Sequence, residues 1–460
     1  MQSWSDQTQP ILQLGPDFYD PVQPALFPEK KLRYINKQVP LLIPVNHLAD
    51  FNPLPGNLPQ PLALRYHGHQ FQHYNPDLGD GRGFLFAQLQ DLNSKQWYDL
   101  GTKGSGTTPY SRAGDGRLTL KGAVREALAT EMLESLGVKT SKTLAFFETG
   151  ENLDRNDEPS PTRSAVLTRY SLGHIRIGTF QRLAFFNQAS NLHKLTSYAL
   201  HFYDHELSQT LDHDNYSLLA EAFLSSVVDK CAQLVAQVMM GGFVHGVLNT
   251  DNINISGELF DYGPYRFLPK YDPQFTAAYF DRDGLYCFGR QPASFLWAIH
   301  QLGSSLKIGN NQFEFEKVLE TFSEKFTHHV QNVFLKRLNL KPRGHEENSQ
   351  LLSAFFQMLS KTDVLFEQAF FYFNSKRILG QTDGASQLLD LFSPDTADFI
   401  RLLDSYEVAD ETAAKHSYFE NEKPCTLLID EIEAIWKPIA ENDDWSLFEN
   451  KLHAIRQIRS

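Results

Sequence analysis

A chain of 460 residues that is 42 % hydrophobic and 21 % charged has the material for a large buried core, with room for about two or three domains or one two-lobed unit. Its formal charge of −13 excludes the broad basic face that nucleic-acid binding requires, while a local basic pocket stays open. No stretch approaches the roughly 18 consecutive apolar residues of a membrane span. The opening residues Met-Gln-Ser-Trp-Ser-Asp-Gln have neither the basic start and apolar run of a secretory signal nor the arginines of an organelle presequence. A monomeric cytoplasmic protein without nucleic-acid or membrane partners is expected. The cysteines Cys231, Cys287 and Cys425 have no metal-like spacing, and Cys231 lies on an apolar helical stripe that places it in the core.

In chain order, residues 1–60 are rich in Pro and short of clear periodicity, which predicts an extended arm wrapping a neighbouring lobe. Residues 84–89 and 96–103 read as strands of a hairpin joined by the turn-like Asp91-Leu92-Asn93-Ser94. Leu120, Val124, Leu128, Met132 and Leu136 recur near helical spacing and predict a helix over 118–136 that stops at Gly137. Thr143–Phe147 and Ala165–Tyr170 read as a further strand pair around a polar loop, Glu148–Arg163. Residues 61–177 thus form a small lobe of strands with one helix. From 178 to 460 the pattern is helical, with a long helix from Asn215 to Met240 ending at Gly241-Gly242, and amphipathic segments at 292–302 and 349–359. The fold class expected is α+β.

The chemistry-bearing residues are spread along this order. Gly79-Asp80-Gly81-Arg82-Gly83 opens the first hairpin strand; alternate glycines let backbone N–H groups approach phosphate oxygens, and Arg82 adds a forked cation, although a tight turn has the same composition. Lys103 ends the second strand and Glu126 lies on the following helix, the arrangement by which kinases fix an ammonium against nucleotide phosphates. Taken singly they are two surface charges. Arg169 and Arg176 could grip phosphate bidentately or form surface salt bridges, and Asp115-Gly116 is equally open.

The octapeptide His245-Gly246-Val247-Leu248-Asn249-Thr250-Asp251-Asn252, followed by Asp261-Tyr262-Gly263, has the outline of a kinase catalytic loop and its metal-binding Asp-aromatic-Gly. The position of the usual catalytic Asp is Val247. Asn252 and Asp261 carry oxygens suited to a hard divalent cation. Asp251 is the candidate general base, against the alternatives that it caps the loop or ligates metal indirectly. The glycine loop, strand Lys, helix Glu, catalytic-type loop and Asp-aromatic-Gly occur in one order, which accident rarely gives.

These residues closely resemble the selenoprotein O family of protein adenylyltransferases, which have a pseudokinase fold. The match is carried by Tyr66-His67-Gly68-His69-Gln70-Phe71, Leu78-Gly79-Asp80-Gly81-Arg82, Thr108-Pro109-Tyr110-Ser111-Arg112 with Gly114-Asp115-Gly116-Arg117, and Ser171-Leu172-Gly173-His174-Ile175-Arg176. It continues through the octapeptide and Asp261-Tyr262-Gly263-Pro264, and spans roughly residues 15–300. The resemblance implies a two-lobed kinase-like fold with a β-rich N-lobe and a helical C-lobe, in which ATP is flipped so that AMP passes to a protein Ser, Thr or Tyr hydroxyl. It implies that Gly79, Gly81, Arg82, Lys103, Asp115, Gly116, Arg169 and Arg176 contact the nucleotide, with Glu126 and Asp261 grouped among them. Asn252 and Asp261 would hold Mg²⁺, with Mn²⁺ as an alternative, and Asp251 would accept the proton. Many relatives carry a Cys or selenocysteine near the carboxyl terminus that is thought to permit redox control; this chain ends His453-Ala454-Ile455-Arg456-Gln457-Ile458-Arg459-Ser460, so that switch is not expected. Arg290 stands where relatives usually have Asn.

Overall fold

A computed structural model describes residues 4, 8–39, 43, 45–54, 57–91, 93–310, 313–379 and 396–459. Parts of the expected arm, Leu92 of the expected turn and Ser460 lie outside the described residues. The α+β class is borne out: one large antiparallel sheet and two two-stranded ones accompany a mainly helical remainder among the described residues.

The sheet runs in the order β1 (Tyr19–Pro21), β3 (Leu62–Leu64), β6 (Leu85–Gln90), β7 (Trp97–Lys103), β10 (Thr162–Ser171), β9 (Lys142–Leu153) and β2 (Lys31–Ile35), with β8 (Leu118–Thr119) paired to β10. A separate hairpin is made by β4 (Gly68–Gln70) and β5 (His73–Asn75). The N-terminal segment is therefore more than an arm, because β1 and β2 form opposite edges of the sheet. Strands of three and five residues are too short to leave a periodicity in sequence. The strands β9 and β10 also continue into the expected polar loop, which shrinks to 154–161. Their outer ends are held by polar cross-strand pairs, Thr149 Oγ1 to Ser164 Oγ at 2.8 Å and Arg163 Nε to Glu148 Oε1 at 2.6 Å. Such pairs stabilise a ladder without the apolar alternation that would announce it.

Helix α3 (Leu120–Ser135) packs on β9 and β10 and buries Leu120, Val124, Leu128 and Met132. Thr119 caps it by accepting from Gly122 N at 3.1 Å, and Gly137 at φ +80° follows its end. Among the helices, α4 (Ile177–Phe185) begins at Arg176, and α7 (Tyr216–Met240) buries Cys231 completely, as its apolar stripe predicts. A two-stranded ribbon, β11 (Phe243–His245) with β12 (Tyr265–Phe267), frames the catalytic-type loop. Helix α8 spans Gln291–Leu306, and later helices cover 322–337 and 345–359. The final helix, Ser446–Arg456, returns to α3, where Arg456 Nη2 lies 3.0 Å from Glu131 Oε1. No described helix is long and apolar enough to cross a membrane.

Glu258 joins the end of the sheet to the segment after the catalytic-type loop by accepting from Leu172 N at 2.8 Å. Burial pushes its carboxyl up to about 7 from the usual 4.5, against the pull of that hydrogen bond. A raised carboxyl stabilises the fold fully below its unfolded value and loses that contribution as pH rises through the folded one. Glu258→Gln is therefore expected to gain thermal stability relative to the parent as pH moves from about 5 to 8, read by melting both proteins across that range. A constant difference between them would contradict this.

Candidate active site

The glycine loop is pressed against its surroundings from two sides. A Cβ on Gly79 would lie 2.3 Å from the Tyr110 ring, and one on Gly83 would lie 2.0 Å from Thr102 O. Thr108 and Ser111 donate hydroxyl hydrogens to the carbonyls of Asp80 and Gly81, which binds the 108–117 segment to the loop. Gly83→Ala has only backbone to push against, so it should separate the loop from β7. We expect about 1–3 kcal/mol of lost stability, measured by denaturant unfolding.

Lys103 ends β7 with 4 % of its surface exposed, its Nζ 2.6 Å from Glu126 Oε2 and 2.7 Å from Asp261 Oδ1. Arg169 stacks on Phe260 at 3.9 Å, with Nη1 3.7 Å from Asp261 Oδ1. Arg176, 2 % exposed, lies 4.3 Å from the Tyr66 ring and 4.7 Å from the Phe260 ring. Its Nη2 is 3.0 Å from Asp80 Oδ1 and its Nη1 donates to Asp251 O at 3.2 Å. Burial would raise the Asp261 carboxyl, but Lys103, Arg169, Arg176 and Arg82 together hold it well below the usual carboxylate range. It is an anion at any ordinary pH.

Phe71 N donates to Asn249 Oδ1 at 3.0 Å and His69 N to Thr250 Oγ1 at 2.7 Å, so the β4–β5 hairpin fixes the catalytic-type loop. Val247 N donates to His245 Nδ1 at 3.1 Å, and Asn252 Nδ2 donates to Val247 O at 2.9 Å. Asp251 is 8 % exposed, and its Oδ1 has no hydrogen-bond partner among the described residues. Burial pushes its carboxyl up to about 6, with Arg176 acting in the opposite direction. Arg169 Nε and Nη1 and Arg176 Nε are likewise buried without hydrogen-bond partners among the described residues. Unpaired buried donors are costly, and several converging on one hollow suit an anion with many oxygens.

These side chains line one continuous cleft. Its narrow inner end is bounded by Arg82, Lys103, Arg169 and Arg176 with Asp80 and Asp261. Tyr66, Gly81, Arg82 and Asp261 also border the outer part, about 760 Å³, where Gly79, Asp115, Gly116, Val247, Asp251 and Asn252 lie. That volume is ordinary for a small-molecule site. Asp115 sits at the exposed rim, 2.9 Å from Arg155, and Gly116 at φ +70° packs where a Cβ would meet the backbone of Gly106.

The family model described as protein adenylyltransferase SelO matches residues 4–456. The chain belongs to the SelO family. Relatives named protein nucleotidyltransferase YdiU include one from Synechocystis, 40 % identical over 97 % of this chain and 97 % of its own length. Another, from Trichodesmium erythraeum, is 40 % identical over 97 % and 98 % of the two chains, and one from Trichormus variabilis is 39 % identical over 97 % and 95 %. The chain is accordingly an enzyme of the nucleotidyltransferase class.

Within this family member, Gly79, Gly81, Arg82, Lys103, Asp115, Gly116, Arg169, Arg176, Asp251, Asn252 and Asp261 all border the cleft. Glu126 is the exception among the residues singled out from sequence. It does not line the cleft but stands behind Lys103, 2 % exposed, and acts on the site through that ammonium. Sequence reading missed roles for Tyr66, Asp80, His174 and Phe260, and for the 154–157 loop that borders the outer cleft. The first three lie inside motifs already noted. Nothing in the spacing marks Phe260, whose face carries both Arg169 and Arg176.

Proposed function

We propose that this enzyme transfers AMP from ATP to Ser, Thr or Tyr hydroxyls of proteins, on a two-lobed kinase-like frame and with release of pyrophosphate. The observation that carries this reading is the burial along the cleft: Lys103, Arg169 and Arg176 are buried at its narrow inner end, whereas Asp251 borders its wider outer part, where Arg82, Arg112, Arg117 and Arg155 line the approach. A triphosphate drawn in by those cations enters distal phosphates first. The α-phosphorus is then left toward Asp251 and the solvent side, where an incoming hydroxyl can reach it.

In this mechanism Asp251 accepts the hydroxyl proton while the hydroxyl oxygen forms a bond to the α-phosphorus. The bond from that phosphorus to the bridging oxygen of the β-phosphate breaks, and pyrophosphate leaves. Lys103, Arg82, Arg169 and Arg176 offset its growing charge from fixed positions, so little reorganisation is needed as the bond breaks. The donor set fits a hard divalent cation: Asp261 is ionised, and Asn252 spends its amide N–H on Val247 O, leaving its carbonyl oxygen as a ligand. Mg²⁺ or Mn²⁺ held by Asn252 and Asp261 would supply charge neutralisation at the phosphates. Val247, which lines the cleft where a kinase has its base, leaves the hydroxyl no proton acceptor at that position. Intact-mass analysis after incubation with ATP and Mg²⁺ tests the reading: adenylyl adducts on protein support it, and phosphoryl adducts would overturn it.

A further inference from the structure

Tyr279 and Phe280 are 87 % and 45 % exposed, and Tyr279 is the most exposed large aromatic side chain among the described residues. Rings of this size are usually packed away from water, so a loop that holds two of them in solvent calls for a partner.

The loop is braced from within. The buried Asp281 carboxylate accepts from Leu285 N and Tyr286 N, each at 2.8 Å. Arg290 Nη1 donates to Asp283 O at 2.9 Å and to Gly284 O at 3.2 Å, which gives this arginine a task. Phe288 N donates to Phe275 O at 2.9 Å and closes the base of the loop. A surface formed in advance loses little freedom on binding.

The pair also adjoins the lip of the cleft. The Phe280 ring lies 5.9 Å from that of Phe71, which lies 5.0 Å from that of Tyr286. Phe71 N and Tyr286 OH both donate to Asn249 Oδ1, and Asn249 borders the outer cleft together with Gln70 and Val247. On the other side of the pair, Ala278 Cβ would lie 3.1 Å from a Cβ placed on Gly246. Phe71 and Gln72 make the turn between the paired Gln70 and His73 at φ +49° and +64°, a conformation that hairpin turns usually give to Asn or Gly. An aromatic residue held that way is costly, and what it achieves is a ring set against Phe280.

We propose that Tyr279 and Phe280 form the docking surface for the acceptor, an extended polypeptide segment with an aromatic or aliphatic side chain, close in sequence to the reacting hydroxyl, that packs on the two rings. This rests on the AMP-transfer reading. To reach Asp251 the hydroxyl passes the lip made by Gln70, Val247 and Asn249, so the chain that carries it crosses the surface beside that lip. Neither ring lines the cleft, and ATP is bound without them.

The test is a library of synthetic peptides with a central Ser, Thr or Tyr and one varied flanking residue, incubated with Mg²⁺, α-labelled ATP and either the parent or the double variant Tyr279→Ser with Phe280→Ser. The parent is expected to favour Phe, Leu or Ile over Gly at a flanking position by about fivefold or more, and the variant to lose that preference. For the favoured peptide, KM should rise by about tenfold, with kcat at saturating peptide and calorimetric ATP affinity unchanged. A merely structural role would instead lower ATP affinity and the melting temperature. Should the double variant melt early, Tyr279→Ser alone carries the test, because that ring stands in solvent. No flanking preference in the parent, the same preference in the variant, weaker ATP binding, or label on lysate proteins but on no peptide would overturn the proposal. If the parent labels neither peptides nor lysate proteins, the AMP-transfer reading itself fails and takes the docking surface with it.

Discussion

Asp251→Asn is expected to lower kcat for AMP transfer by about 10³-fold while changing ATP affinity by less than about threefold. Asn matches Asp in shape, so the loop keeps its fold, which is set by neighbours rather than by this side chain: Asn249 accepts from Phe71 N and Tyr286 OH, and Thr250 from His69 N. The Arg176 contact is to the Asp251 backbone oxygen and survives as well. What disappears is the carboxylate's capacity to take a proton, at a group whose Oδ1 has no partner among the described residues and lies beside Gly68, where a Cβ would come within 3.0 Å of it. Turnover and calorimetric binding measured on the same preparation separate the two effects. Full turnover in the variant would remove Asp251 from the chemistry.

The second large effect is expected at Asp261. Asp261→Asn should reduce transfer by about 10²–10³-fold and cancel the gain in ATP affinity that Mg²⁺ provides. Asn is chosen over Ala because Asp261 holds φ +62°, a conformation that Asn tolerates well. Lys103 keeps Glu126 at 2.6 Å in the variant, so the buried ammonium is not abandoned and thermal stability should change little. Without a divalent cation the variant should bind ATP no more weakly than the parent, because an anion has been removed from an anion site. Titrating ATP into both proteins with and without Mg²⁺ checks this, and an Mg²⁺ gain that persists in the variant would contradict the assigned role.

Elements whose burial is one-sided and apolar could be read from sequence almost to the residue. Helix α7 carries its core on one stripe and is bounded by a capping Asn215 and by Gly241, so its extent was legible. The ladder ends of β9 and β10 were not, because Thr149, Ser164, Glu148 and Arg163 stabilise them through polar pairs that look like a loop. Within the site, Lys103 with Glu126 and the 245–252 loop could be recognised because their order along the chain carries the signal. The Asp80–Arg176–Asp251 connection could not, since it joins residues 96 and 75 positions apart through contacts that leave no spacing rule behind.

Val247 acquires its meaning from this geometry. A kinase lacking its base would be inert if the reacting phosphorus stayed in the usual place; in the proposed reading the triphosphate is turned around in the cleft, and Asp251 is the base that this orientation calls for.

Which phosphorus reacts is decided by incubating the protein and a lysate with Mg²⁺ and ATP labelled at either the α- or the γ-phosphate. The account predicts covalent label on protein from α-labelled ATP and none from γ-labelled ATP. Label from the γ-phosphate alone would contradict it.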